Sequence, residues 1–498
     1  MITAERLQKL VRDKLTDYLF IIVSNREPYI HIFRGNDIEC IVPASGLTVA
    51  LDPVMRACGG IWIAHGGGDA DREVVDEHDK VSVPCKDPKY SLRRVWLSKD
   101  EEDGYYYGFS NEAIWPLCHT CYTRPIFKES DWDMYKSVNE RFAQVVLEEA
   151  GDQKSFVFVQ DYQLALLPRF IKKRNPDIIV AQFWHIPWPM SETFRICPWH
   201  GEILDGLLGN DLLGFHVNYY CNNFLDAVDY FLEARVDREE SVVKRRGKST
   251  LVRSFPISVD FTSLSNQAQQ TNITEEMERL RNQFGLKDNS ESKSEFIGIG
   301  IDRLDYTKGI PDRLRAIDCF LQKNPRYQGQ LVFIQIGVPS RTYISAYIKL
   351  YEEVTELVQK INRKYAFGHW RPIRFIPRHE SSITLSALYR MADFCIVSSL
   401  HDGMNMVAKE FVSSRFDEDG VLILSPFTGA ARELTDALIV NPYATDELAR
   451  AIKQAIEMDS KEKRRRMRRM RSVVQENNIY KWAEDIISEL VKFGFEGT

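Results

Sequence analysis

No apolar run in this chain comes near the roughly 20 residues needed to cross a bilayer. The longest, such as Phe156 to Val159 and Ile178 to Phe183, cover a fraction of that, which excludes a membrane-spanning role. Positive charge is not in excess either: 71 acids against 65 bases leave a net charge of -6 and no basic field to hold nucleic acid. Internal repeats and low-complexity segments are absent, and Met1 to Leu15 lacks the apolar core and cleavage site of a secretory leader, so a cytoplasmic location is expected. The nine cysteines are odd in number and scattered from Cys40 to Cys395, which is no disulfide framework; reduced thiols are expected. Cys118 and Cys121 flank His119 at a metal-like spacing, but no second pair follows, and they are read as structural.

What is present is enough apolar material for two cores: 498 residues, 44% hydrophobic. From Leu19 the chain reads as a strand, a long polar loop from Glu27 to Pro43, and a helix opening at Gly46. Short apolar runs at Phe156 to Val159, Ile178 to Phe183 and Asp211 to Phe215 alternate with amphipathic stretches such as Trp132 to Ala150, the rhythm of a parallel sheet covered by helices. A second α/β domain is expected after Pro256, with strands at Phe296 to Ile301, Leu331 to Ile336, Ile373 to Ile376, Phe394 to Val397, Val421 to Leu424 and Leu438 to Val440. The predicted domains are residues 1–255, 256–478 and a final helix, 479–498, that docks back toward the first. Two doubly wound sheets would present a cleft at the carboxyl ends of their strands. Lys461 to Arg471 carries eight bases, but Met467 and Met470 punctuate it at helical spacing, as on one solvated helix.

Two segments carry chemistry. "GIDRLDYTKG" sets Arg303 and Lys308 after a strand and before a helix near Pro311, where two cations beside a helix N-terminus suit a diphosphate leaving group. "SLHDGMNMVAKE" again follows a strand and opens a helix near Asn405. There Gly403 permits close backbone approach, Asp402 can accept from sugar hydroxyls, and Glu410 can grip a ribose diol. In the first half, Asp161 in "VQDYQLALLP" and His185 in "FWHIPWP" sit at strand ends, and Arg26 in "VSNREP" and Arg341 in "GVPSR" follow strands where either can clamp a phosphate.

At this point the chain resembles the trehalose-6-phosphate synthases and their relatives, the glucosylglycerol-phosphate synthases. The resemblance rests on "SNR" at Ser24 to Arg26, "FSN" and "WP" between Phe109 and Pro116, "DWD" and Tyr135 from Asp131, "DY" at Asp161, "HIP" at His185, "RLDYTKG" at Arg303, "DGMN" and "VAKE" from Asp402 to Glu410, and "ALIVNPY" at Ala437. It implies a GT-B fold, two Rossmann-like domains, and retaining transfer of glucose from UDP-glucose to glucose 6-phosphate. By the family pattern Arg303 and Lys308 bind the donor diphosphate, Glu410 the ribose, and Asp402, Gly403 and the Met404, Asn405, Met406 and Val407 backbone the glucose and phosphates. Gly46 joins the donor site. His185 contacts the transferred glucose, Asp161 the acceptor hydroxyls, and Arg26, Tyr106, Trp115 and Arg341 hold the acceptor and its phosphate. The catalytic set is then Arg303, Lys308, His185 and Asp161.

Departures fall at the acceptor end: Ser45-Gly46 stands where the trehalose enzymes carry a glycine pair, and His65 where they carry an indole after Trp62. Glycerol 3-phosphate is therefore the alternative acceptor, and a non-catalytic sugar-phosphate sensor the reading from another class. No cofactor and no metal are expected: Asp69 with Asp71 and Asp131 with Asp133 only mimic a metal-binding pair. A homo-oligomer is left open.

Overall fold

The computed structural model describes residues 2–15, 17–43, 46–286 and 295–495. The chain divides into two compact units, Met1–Ile257 with Ile479–Thr498, and Ser258–Asn478.

In the first unit, runs of β-branched and aromatic residues buried on both faces build the parallel centre of a mixed sheet. Its strands, with one separate hairpin, are β1 (Leu19–Arg26), β2 (Ile30–Arg34), β3 (Asp37–Ile41), β4 (Ile61–His65), β5 (Lys80–Val83), β6 (Tyr90–Val95), β7 (Ser155–Gln160), β8 (Ile179–Phe183), β9 (Leu212–Phe215), β10 (Arg235–Asp237), β11 (Val242–Arg245) and β12 (Lys248–Ser254). The sheet order is β10-β11-β12-β9-β8-β7-β1-β4-β6-β5. β1 pairs in parallel with both β4 and β7, whereas the edge pairings, β5–β6, β10–β11 and β11–β12, are antiparallel. The chain lays β4 and β6 on one side of β1 and then crosses to β7, β8, β9 and β12 on the other. Winding therefore reverses between β1 and β7, and ligands bind at the carboxyl ends of such a reversal. The helix Ile479–Phe495 belongs to this unit: its buried Trp482 lies 5.8 Å from the Phe158 ring and 5.1 Å from Phe183.

Two expectations are corrected here. Glu27 to Pro43 is not a polar loop, because β2 and β3 pair antiparallel within it, His31 facing Cys40 and Phe33 facing Ile38. The β-branched residues Ile30, Ile32, Ile38 and Ile41 outweigh the interspersed charges, and Gly35, at φ 64°, supplies the turn. Nor are all thiols reduced: Cys40 on β3 is bonded to Cys85 in the loop after β5. Parity and spacing carry no information on that pairing, which depends on where the hairpin lies.

Next to the hairpin lies a buried ion cluster. Arg94, wholly inaccessible, donates from Nε to Glu27 (2.9 Å) and pairs through Nη2 with Asp71 (2.7 Å). Its Nη1 reaches the Asp71 carbonyl at 2.7 Å and its Nη2 the His31 Nδ1 at 2.8 Å. Burial and the neighbouring Asp71 push the Glu27 carboxyl up to about 8, against the pull of Arg94. Burial likewise works to raise Asp71, but hydrogen bonds from His31 and Glu27 and the charge of Arg94 hold it below the usual range. Two carboxylates thus share one arginine by keeping one proton. Since the Glu27 value is raised on folding, its contribution is full below the unfolded carboxylate range and is lost as pH rises through about 8. The urea midpoint of the native chain therefore falls more between about pH 5 and about pH 9 than that of Glu27→Gln, which carries no titrating group there. Equal pH slopes in the two proteins count against the shared proton.

The second unit repeats the plan with six parallel strands, β13 (Phe296–Arg303), β14 (Leu331–Val338), β15 (Ile373–Ile376), β16 (Phe394–Val397), β17 (Val421–Leu424) and β18 (Leu438–Ile439). The order is β15-β14-β13-β16-β17-β18, so winding reverses between β13 and β16. The helix Ile310–Lys323 covers this sheet with Ile310, Leu314, Ile317 and Leu321 on one stripe, all fully buried. Each such side chain contributes about 1.5–3 kcal/mol. In the basic helix Ser460–Glu476, Met467, Met470 and Val474 turn inward while Arg465 and Arg468 pair with Glu462 and Glu418 on its exposed side. Among the described residues no helix is long and apolar enough to cross a membrane.

Candidate active site

Both winding reversals carry the residues singled out above. In the second unit β13 ends on Arg303, and the turn Tyr306–Lys308 follows. Asp305, fully buried, shapes that turn by accepting from the Thr307 N–H (3.0 Å) and hydroxyl (2.9 Å). Gly309 (φ 60°) starts the helix Ile310–Lys323, and a Cβ there would meet the Ser398 carbonyl oxygen at 2.2 Å, so the motif's last position admits only glycine. The loop after β16 closes over it: Leu400 N–H donates to the Thr307 carbonyl (2.7 Å), and the Ser398 hydroxyl to that of Gly309 (3.0 Å).

The result brings Lys308 Nζ to 2.5 Å from Asp402 Oδ2, with both side chains largely buried. Asp402 also accepts from Ser399 Oγ and Asn405 Nδ2, each at 3.1 Å. Asn405, at φ 80°, caps the helix Met406–Ser414 by accepting from the Ala408 N–H (3.1 Å). Gly403 and Met404 are buried in that loop, and the Met404 carbonyl accepts from the Ala430 N–H at 2.9 Å. Met406 and Val407 open the helix, whose free N–H groups and dipole favour an anion.

One turn on, Glu410 Oε2 accepts from the Tyr389 hydroxyl at 2.7 Å; burial raises the Glu410 carboxyl and Tyr389 opposes it. On the ribose role that the family pattern gives Glu410, Tyr389→Phe removes that constraint and is expected to raise KM for the nucleotide-sugar about three- to tenfold with little change in kcat. Unchanged saturation curves would separate Tyr389 from Glu410.

Sequence reasoning missed what holds these loops. Arg313, on the apolar stripe of its helix and fully buried, pairs with Asp302 (2.8 Å) and donates to Gln335 Oε1 and Ser398 Oγ, each at 3.0 Å. It occupies the space a Cβ on Gly300 would fill, 2.1 Å from its Nη1. An arginine in line with Ile310, Leu314 and Ile317 was the available signal. Arg341 also lies in this unit, at φ 50°, with Nη1 3.0 Å from Asp305 and against the Tyr347 hydroxyl. It therefore braces the Lys308 turn. Burial would raise Asp305, but Arg341, Arg303 and Lys308 outweigh it and keep the carboxyl low.

In the first unit, Arg26 at the end of β1 donates to the Tyr106 hydroxyl at 3.0 Å. Tyr106 lies in a wide, π-type helical stretch, Asp103–Ile114, in which Ser110 and Asn111 donate to the carbonyls of Tyr105 and Tyr106 (both 2.7 Å). Trp115 follows, buried, its ring 4.0 Å from His119 and 5.8 Å from Tyr162. Asp161 stands just beyond β7 at φ 70°, accepting through Oδ1 from the His185 N–H at 3.1 Å. His185 Nε2 lies 2.9 Å from Gln160 Oε1, whose amide nitrogen faces the Phe158 carbonyl. That pairing puts the proton on Nε2 and leaves Nδ1 an acceptor. Burial and the neighbouring His216 press the His185 imidazole well below its ordinary range, so it stays neutral. Gly46 begins the helix Gly46–Cys58; Ser45 lies outside the described residues. His65 ends β4 with Nδ1 3.1 Å from the Val95 carbonyl.

The geometry is that of two Rossmann-like units, the GT-B architecture, and known proteins share it. A trehalose-6-phosphate synthase from Mycobacterium sp. (strain KMS) is 37% identical over 486 residues, 95% of this chain and 94% of that one. A bifunctional trehalose-6-phosphate synthase/phosphatase from Thermoproteus tenax is 36% identical over 484 residues, and the chain spans only 63% of its length. The alpha,alpha-trehalose-phosphate synthase (UDP-forming) of Burkholderia xenovorans, solved in complex with glucose-6-phosphate, superposes with a TM-score of 0.84 at 28% identity, over 95% of this chain and 99% of that one. With the family profile running from residue 19 to residue 492, the chain belongs to glycosyltransferase family 20.

Proposed function

We infer that the chain transfers glucose from UDP-glucose to glucose 6-phosphate with retention of configuration, yielding trehalose 6-phosphate and UDP. The observation that carries this is the β13/β16 reversal, where Lys308, steadied by Asp402, stands in one laced pair of loops with Arg303. In this reading Arg303 and Lys308 neutralise the departing diphosphate, Glu410 takes the ribose hydroxyls, and the Gly403 to Val407 backbone meets phosphates and glucose. Asp161 accepts from the acceptor hydroxyls, neutral His185 accepts a glucose hydroxyl at Nδ1, and Arg26, Tyr106, Trp115 and Arg341 serve the acceptor and its phosphate.

No side chain is assigned as a nucleophile under the anomeric carbon. The C–O bond to the diphosphate breaks as the acceptor hydroxyl arrives on the same face, and a phosphate oxygen takes the hydroxyl proton. The reading is metal-independent, and the partners of these acids support it: Asp69 accepts from the Phe33 N–H (2.9 Å), Asp71 pairs with Arg94, and Asp133 with Lys136 (2.8 Å). Chelator then leaves the rate unchanged. The location is cytoplasmic.

The relatives' names favour glucose 6-phosphate over glycerol 3-phosphate. Purified chain offered UDP-glucose with each acceptor, products read by mass, tests this. A disaccharide phosphate is expected; a glucosylglycerol phosphate overturns the acceptor, and no UDP release in either case leaves the sensor.

A further inference from the structure

The sequence puts two cysteines 45 residues apart, and the fold brings them together beside a histidine that the proposed reaction does not use. Cys40 and His31 are cross-strand partners in the β2–β3 hairpin, and Cys85 joins them from the loop after β5. His31 is buried, Cys40 half-buried and Cys85 exposed. The His31 ring is oriented from behind. Arg94 Nη2, which can only donate, lies 2.8 Å from Nδ1, and Asp71 Oδ1 accepts from the His31 N–H at 2.8 Å. The Asp71 bond is made by the His31 backbone N–H, and at the ring Arg94 Nη2 lies nearer to Nδ1 than Asp71 Oδ1 does (2.8 against 3.5 Å). Nδ1 therefore accepts from Arg94, the ring proton is on Nε2, and Nε2 lies 3.5 Å from Cys85 Sγ. A donor fixed against one sulfur of a disulfide, with a guanidinium behind it, stabilises that sulfur as a leaving thiolate.

The position of the bond has a consequence for the site. β2 follows directly on Arg26 and Glu27, and β3 leads toward the helix that opens at Gly46. The bond ties this excursion to the loop after β5. We propose that Cys40 and Cys85 form a reversible thiol–disulfide exchange site that sets how firmly the β2–β3 hairpin is fastened beside Arg26.

In the exchange a dithiol reductant attacks as its thiolate at Cys40 Sγ. The Cys40–Cys85 bond breaks, a mixed disulfide forms, and the Cys85 thiolate leaves against His31 Nε2–H. The reductant's second thiol then displaces Cys40, so the reductant becomes a disulfide and its two protons end on the two protein thiols. Where the compartment is reducing, a partly exposed bond of this kind exchanges rather than serving only as a staple.

The test uses the full chain. Purified without reductant, it shows Cys40 and Cys85 protected from alkylation; dithiothreitol exposes both, and oxidised glutathione restores the bond. In Cys40→Ser the alkylation rate of Cys85 titrates about one pH unit or more below that of Cys40 in Cys85→Ser, because only Cys85 faces the His31 N–H, with Glu27, Asp71 and Arg94 behind it. His31→Asn is expected to abolish the difference, and the two serine variants keep the question open to measurement if it does not fold. Free thiols throughout, or equal titration midpoints, overturn the exchange site. Resting on the proposed acceptor role of Arg26, reduction also raises KM for glucose 6-phosphate about threefold or more, as loss of preorganisation does, while the Cys40→Ser/Cys85→Ser chain ignores dithiothreitol. An unchanged KM with intact exchange chemistry overturns the coupling to the acceptor and leaves the alkylation result standing.

Discussion

Arg303→Ala and Lys308→Ala each lower the rate of UDP release at saturating substrates by at least about a hundredfold, the usual loss when one preorganised donor to a developing anion is removed. The two differ in side effects. Lys308 is paired with Asp402, so its loss removes the countercharge from a largely buried carboxylate that still accepts from Ser399 and Asn405, and also loosens the loop before the helix Met406–Ser414. Arg303 closes β13, and its charge helps to hold the Asp305 carboxyl low, so Arg303→Ala is read beside a measurement of stability. On the proposed assignment both cations serve one leaving group, so the double variant is expected to lose less than the product of the single losses. Steady-state assays with thermal unfolding as a folding control decide the matter. Either variant retaining a near-native rate removes these residues from the reaction.

The largest loss of stability is expected from Arg94→Ala. Its guanidinium is the sole arginine among Glu27, Asp71 and His31, and none of the four is appreciably exposed. Truncation leaves a buried carboxylate without its countercharge, at a cost of about 3–5 kcal/mol. For a chain of this size that lowers the unfolding temperature on the order of 10 °C. Glu27 can limit the damage by holding its proton, so the deficit is smaller at low pH and grows as pH rises. Calorimetry at two pH values measures both. A deficit independent of pH would mean that the cluster's charges are not coupled.

The parallel strands were legible because burial on both faces makes them unbroken apolar runs: Phe296 to Ile301 and Val421 to Leu424 stand out against helices that alternate. The donor loops were legible for a related reason, since glycine, a cap residue and charges must crowd into the few residues between a strand end and a helix start. Edge elements escaped notice. β5 and β10 are short and exposed on one side, and β2 and β3 are so interrupted by Arg34, Asp37 and Glu39 that their isoleucines do not read as a period. The π-type stretch at Tyr106 was equally opaque. Within it Ser110 and Asn111 reach back five residues to backbone carbonyls, but in sequence they look like ordinary polar helix positions. What lies behind the site, Arg313, Gln160 and Tyr389, was hidden because each meets a partner distant in sequence, Ser398, His185 and Glu410 respectively.

The helix Ile479–Phe495 places Trp482 in the core of a unit whose other strands end at Ser254. During synthesis, therefore, the first-made half waits with an unfilled slot over Phe158 and Phe183 while residues 258–478 emerge and close on their own. The half that begins first finishes last, and a ribosome stalled before residue 479 would display an open apolar face for chaperones to shield.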